Sequence, residues 1–247
     1  MDLLHLLAVF LLGFGSMFIG TTTGGVGLIV VPVLILLGLS PHASIATTRL
    51  AVFTGDLIAL RAFDRAGKVT HSLVTPVLLL SVLGALAGSY VLLLTPGPLA
   101  EKILGIFILC TLAFSLWKRN AGLVPDRSPG ALRIAAGYAA TFFLSILGTY
   151  FSAASGMLGR TAFISFFGLT YLESAALRKI QGLAMGIVSL LIFAWNGLID
   201  VPISLVLVPS MVLGSFIGSR YALRKGDRWA QIVFLGVVFF AALQLLF

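Results

Sequence analysis

Ten apolar segments follow one another along this chain with only short polar connections between them. They lie near residues 3–20, 28–39, 43–63, 72–94, 99–117, 131–150, 157–169, 172–195, 202–220 and 229–247. A helix crossing the hydrocarbon of a bilayer needs about 20 apolar residues, and most of these segments supply them. Inside lipid the backbone amides must be paired within the segment, so runs of this length predict α-helices. With 60% of residues hydrophobic and 10% charged, no water-soluble core could hide so much apolar surface. The expected fold is an all-α polytopic membrane protein with about 8 to 10 apolar helical segments. The net charge of +8 does not point to nucleic acid here, because basic residues between apolar segments orient helices. The first segment lacks a basic leader and reads as a retained helix rather than a cleaved signal. Cys110, alone of its kind, lies in an apolar run and reads as a small packing residue.

Segments 28–39 and 157–169 are too short to cross, and each reads as half of a broken or re-entrant helix. They correspond to one another. A shift of 130 positions superposes Gly38-Leu39 on Gly168-Leu169, Ser44 on Ser174, Ala46 on Ala176 and Gly67 on Gly197. It also superposes the motif VLGxxxGS at 82–89 on the same motif at 212–219. An unchanged offset over so many positions predicts an internal duplication. The repeats are 1–117 and 131–247, joined by a polar linker at 118–130.

Most of the 16 Lys and Arg cluster in three places: Arg61, Arg65 and Lys68; Lys118, Arg119, Arg127 and Arg133; Arg220, Arg224, Lys225 and Arg228. The positive-inside rule puts these loops in the cytoplasm and both termini outside. The loop at 61–68 is then inside, while its repeat mate at 191–198 is outside. The two repeats are therefore expected to have inverted topology, an arrangement used by many secondary transporters.

Between the first two segments the chain reads TTTGGVG at 21–27. Thr and Gly are poor helix formers, and glycine leaves its amides open to a neighbour. A polar break that opens a short helix offers free N–H groups and a positive dipole end to an anion. Close helix packing through small residues is the alternative reading of these glycines. Thr21, Thr22, Thr23, Gly24, Gly25 and Gly27 are the candidate anion contacts of the first half, with Ser155 and Gly156 at the second break.

Charges inside the apolar segments sharpen this expectation. A charge at the centre of a membrane helix costs about 2.5–3.5 kcal/mol on insertion scales, so it is seldom idle. Arg49 and Lys179 are equivalent under the 130-residue shift, and Arg160 follows the second break. Inverted repeats would set Arg49 and Lys179 across the midplane from each other, facing one volume. Arg178, beside Lys179, reads equally as a residue that snorkels to the headgroups. Asp56 lies two turns after Arg49 on the same face. It is expected either to carry a coupling proton or to pair with Arg61 or Arg65 near the surface. Glu173 and Asp200 fall at segment ends and read as interfacial. His5, His42 and His71 have no metal-ligand spacing, and neither a nucleophile–base pair nor a phosphate loop is present. No enzyme activity, metal or other cofactor is therefore expected. The partners are a small anionic substrate and the lipid bilayer, and the sequence is compatible with a homo-oligomer.

The stretch GFGSMFIGTTTGGVGLIVVPVLILLGLSPHASIATT, with Pro32 early in its short helix, resembles the signature of the sulfite exporter TauE/SafE family. In the second half VLGSFIGSRYALR is similar to the basic ending of that family's glycine motif, whereas SAASGMLGRTAF carries fewer glycines than the family pattern. The resemblance implies an inner-membrane, multi-pass transporter of sulfur oxyanions or small organosulfonates such as sulfite, thiosulfate or sulfoacetate. The expected function is a secondary transporter of such an anion, ion- or proton-coupled, with alternating access. The alternatives are a passive anion channel or a transporter of another small organic anion.

Overall fold

The computed structural model describes residues 3–94, 123–126, 128–150 and 152–246. Eight helices and no strands occur among them: α1 (Leu3–Thr23), α2 (Val26–Leu36), α3 (Pro41–Arg65), α4 (His71–Leu94), α5 (Ala131–Tyr150), α6 (Ser152–Phe167), α7 (Tyr171–Trp195) and α8 (Val201–Leu246). Six of them, all except α2 and α6, are long and apolar enough to cross a bilayer. The expected segment 99–117 and most of the linker lie outside the described residues.

Two boundaries differ from the sequence reading. Thr21, Thr22 and Thr23 form the last turn of α1, not a polar break. Their hydroxyls donate back to Met17 O (2.7 Å), Ile19 O (2.9 Å) and Ile19 O (3.3 Å), which satisfies them inside the helix. The second short helix begins at Ser152, so Ser155, Gly156 and Arg160 are helical and do not form a break. Segments 202–220 and 229–247 are two helical stretches, as expected; they run on as α8 with a break at Gly226, whose φ 81° and ψ −175° are not helical.

The bounds of α3 and α7 differ by 130 residues at both ends, and α8 starts 130 residues after α4. Ser40 and Thr170 cap α3 and α7 by accepting from the N–H groups of Ala43 and Glu173. Each helix ends on a glycine of positive φ, Gly67 (66°) and Gly197 (63°), with matching turn hydrogen bonds. Packing follows the same shift. Helix α1 lies on α8 as α5 lies on α4, α3 lies on α8 as α7 lies on α4, and α3 meets α7.

The repeated VLGxxxGS motif has its reason here. A Cβ on Gly84 or Gly88 would fall 2.6 or 2.4 Å from the carbonyl oxygens of Phe142 and Ile146 on α5. A Cβ on Gly214 or Gly218 would fall 2.4 or 2.5 Å from those of Phe14 and Phe18 on α1. Glycine lets the two backbones touch, which is how helices associate where no hydrophobic force separates lipid from protein. Between α3 and α7 the order of contacts is reversed. Asp56 lies against Lys179 and Gly182, while Phe53, one turn earlier, lies against Gly186. The two helices run antiparallel where they meet.

At the start of α5 a polar clasp holds the turn after α6. Asp126 N–H donates to Gly168 O (2.8 Å), Arg133 Nε donates to Ser165 O (2.6 Å), and Arg133 pairs with Asp126 at 2.5 Å. That guanidinium, with the Ser128 N–H, holds the Asp126 carboxyl below its ordinary value of 3.8.

Candidate functional site

Where α3 crosses α7, beside the start of α2, the packing leaves a cavity of about 40 Å³. A water needs roughly 15 Å³ of such space, so the cavity has room for water. The lining comes from Gly20 and Gly24, from Val26 and Gly27 on α2, from Arg49, Val52, Phe53 and Asp56 on α3, and from Arg178, Lys179 and Gly182 on α7. Three cations and one carboxylate thus face a space enclosed by apolar helices.

Gly24 makes the α1–α2 junction. Its φ of 79° reverses the chain, and a Cβ there would lie 3.1 Å from the carbonyl carbon of Gly156 on α6. The reverse contact is tighter, since a Cβ on Gly156 would lie 2.2 Å from Gly24 O. The two glycine positions expected at paired breaks do meet, backbone to backbone. Gly25 is the N-cap of α2, and no side chain caps that helix. The first amides of α2 therefore lack an intrahelical acceptor, and Val26 and Gly27 of this turn line the cavity.

Arg49 is 5% exposed. Its Nη2 donates to the carbonyls of Gly148 (2.5 Å) and Thr149 (3.3 Å) near the end of α5, and its Nε is buried without a partner among the described residues. Lys179 Nζ donates to Asp56 Oδ1 at 2.7 Å, and both residues are buried. Asp56 thus pairs with Lys179 across the repeat boundary, not with Arg61 or Arg65. A buried ion pair of this kind keeps each charge tolerable only while the other is present.

Sequence reasoning left Arg178 undecided, and the structure places it at the cavity. Its Nη1 donates to Gln181 Oε1. The start of α7, taken as interfacial, is covered instead: Tyr171, Leu172 and Glu173 are buried, Glu173 closes a capping box with Thr170, and Leu172 N–H donates to Asp227 Oδ1 at 2.7 Å. Arg178 follows two turns further along the same helix, half-buried and in the cavity lining. The signal available in the sequence was Gln181, a carboxamide three residues on in an apolar helix, at the spacing of an intrahelical pair. Asp200 also has a structural role, accepting from Ile203 N–H at the start of α8.

The remaining candidates do not line the cavity. Thr21, Thr22, Thr23, Gly25, Ser155 and Gly156 are not in its lining. Arg160 is 1% exposed, but its guanidinium lies over the Phe234 ring, 5.6 Å from the centroid, on the side facing the late part of α8. No group of three or more His, Cys, Asp or Glu that could hold a metal occurs among the described residues.

Six apolar spans around a buried, charged cavity define a multi-pass membrane protein with an internal polar site. The model of the Sulfite exporter TauE/SafE family matches residues 9–245, and the chain belongs to that family of membrane transporters. It is similar to a probable membrane transporter protein, ORF9, of Sinorhizobium, with 26% identity over 98% of this chain and 93% of that protein. It is also similar to a probable membrane transporter protein of Haemophilus influenzae, at 26% identity over 91% of this chain and 87% of the relative. The probable membrane transporter protein YfcA of Escherichia coli K12 is 25% identical over 85% of this chain and 78% of its own length. No solved structure matches.

Proposed function

We propose that this protein is a secondary transporter carrying a small sulfur-containing anion, such as sulfite, thiosulfate or sulfoacetate, across the plasma membrane. The observation that carries the proposal is the cavity, where Arg49 and Arg178 face the uncapped N-terminus of α2. Guanidinium N–H groups and helix-terminal amides are the donors an oxyanion needs, and burial strengthens each bond. The sulfur chemistry is drawn from the family's name.

Asp56 is the coupling group in this reading. Ionised, it occupies Lys179. Protonated, it would release a cation into the cavity, so proton binding and anion binding favour each other. The two halves are inverted repeats that exchange roles between inward- and outward-open states, a reading supported by the opposed contact order of α3 and α7.

Thermal-shift screening of the purified chain against sulfite, thiosulfate, sulfoacetate, taurine and simple carboxylates tests the substrate. Stabilisation by a sulfur oxyanion, lost in Arg49→Ala, is expected. Stabilisation by none of the sulfur compounds would reject the proposal. Counterflow in proteoliposomes separates carrier from channel, since unlabelled substrate inside accelerates uptake only through a carrier.

A further inference from the structure

Duplication accounts for much of the packing but not for one polar ladder. Under the 130-residue shift Gln181 falls on Ala51, Arg178 on Thr48, Ser145 on Gly15 and Thr141 on Leu11. At three of these four positions the second half carries a hydrogen-bonding side chain where the first has Ala, Gly or Leu, and at the fourth it carries a guanidinium in place of a hydroxyl.

Gln181 is fully buried. Its Nε2 donates to Ser145 Oγ (2.8 Å) and Thr141 O (3.3 Å) on α5. The Ser145 hydroxyl donates onward to Thr141 O at 2.7 Å, so toward Gln181 it acts as acceptor. These bonds turn both amide hydrogens to α5 and leave Oε1 to accept from Arg178 Nη1. Thr141, Ser145, Gly148 and Thr149 follow one face of α5. The last two hold Arg49 through their carbonyls. Both guanidiniums that line the cavity are therefore tethered to a single face of one helix. Each is held by part of its donor fork, and the Nε of Arg49 remains without a partner among the described residues.

We infer that Gln181 is a positioning residue of the anion site. It fixes the Arg178 guanidinium against α5, so that α5 sets the spacing at which Arg178 and Arg49 together receive the anion. Gln181 does not touch the anion and acts through Arg178. The inference rests on the anion site proposed above.

The test is isothermal titration of the detergent-purified full chain with thiosulfate and with sulfoacetate, alongside melting temperature. Gln181→Ala should weaken binding about tenfold, the lower end of what a hydrogen bond to a charged group contributes. Arg178→Ala should weaken it at least as much. The decisive variant is the double one. If Gln181 works through Arg178, Gln181→Ala adds no further loss once Arg178→Ala is in place. A Gln181 that merely packs would give additive losses, or none, and either result overturns the inference while leaving the site intact. Should Gln181→Ala fail to fold, Ser145→Ala removes one anchor of the carboxamide at little cost in volume. It should weaken binding about threefold, again only while Arg178 is present. Undiminished binding in both Arg49→Ala and Arg178→Ala, or no binding of either probe by the unaltered chain, would instead overturn the functional reading.

Discussion

Asp56 and Lys179 each make the other's burial tolerable, and neither has another ion-pair partner among the described residues. Removing one partner of such a pair leaves a stranded charge, so Lys179→Ala should destabilise the protein by about 3–5 kcal/mol. Asp56→Asn combined with Lys179→Ala should recover most of that loss, as read from melting temperatures in detergent. For transport, Asp56→Asn should abolish uptake driven by a pH gradient while substrate exchange persists; a full gradient response in that variant would remove Asp56 from coupling. Arg49→Ala, by contrast, should act on affinity, weakening anion binding by roughly 1.5–3 kcal/mol. Arg49, Asp56 and Lys179 stood out in the sequence because a charge in an apolar run demands a reason. Their partners were not legible, since Asp56 meets Lys179 across 123 positions and Arg49 meets Gly148 across 99. Arg178 was ambiguous because hydropathy marks where an apolar segment begins, not whether that beginning is covered by another helix. The hydroxyls at 21–23 misled for a local reason, since back-bonding to the preceding turn lets threonine finish a membrane helix.

At the scale of elements the repeated glycine motif makes the sharpest claim. Gly88→Ala and Gly218→Ala each push a methyl group into a carbonyl of the facing helix, at Ile146 and Phe18. Each should lose about 1–3 kcal/mol, the cost of overpacking a close contact. Gly15→Ala provides the contrast, because nothing lies within 4 Å of its added Cβ. It should be neutral or slightly stabilising, given alanine's helix propensity. Equal melting temperatures for Gly15→Ala and Gly218→Ala would mean that the α1–α8 contact is looser than described. Most helices were legible from apolar run length, and the 130-residue shift anticipated the common bounds of α3 and α7. The start of α6 was not. Ser155 and Gly156 look like helix breakers in a sequence, yet Gly156 is small because Gly24 O presses against it, not because the chain must bend. Gly226 was legible by contrast, since it separates two helical stretches of α8 between the segments read at 202–220 and 229–247. The Asp126–Arg133 clasp depends on tertiary contact with Gly168 and left no periodic trace. Since its carboxyl titrates below the ordinary range, the clasp is intact above about pH 4 and is lost as pH falls through that lowered value.

For the whole molecule the question is how the two halves face the membrane. Gly67 and Gly197 end equivalent helices with the same turn, so they report the orientation of each half directly. Antiparallel contact between α3 and α7 supports opposite sides, and the charge asymmetry agrees: Arg61, Arg65 and Lys68 surround the first turn, while no basic residue flanks the second between 191 and 199. Both turns are open to substitution in one respect, since nothing lies within 4 Å of a Cβ added to either glycine. Their positive φ makes a cysteine there strained, so the label belongs one residue away, at the exposed Ala66 and Asn196. In a Cys110→Ala background, a membrane-impermeant maleimide applied to intact cells should modify Asn196→Cys and spare Ala66→Cys until the membrane is opened. That pattern is what inverted repeats require. Labelling of both positions from the same side would make the repeats parallel. The exchange of roles between halves would then have no symmetry to act through, and the cavity would have to be reached by some other motion.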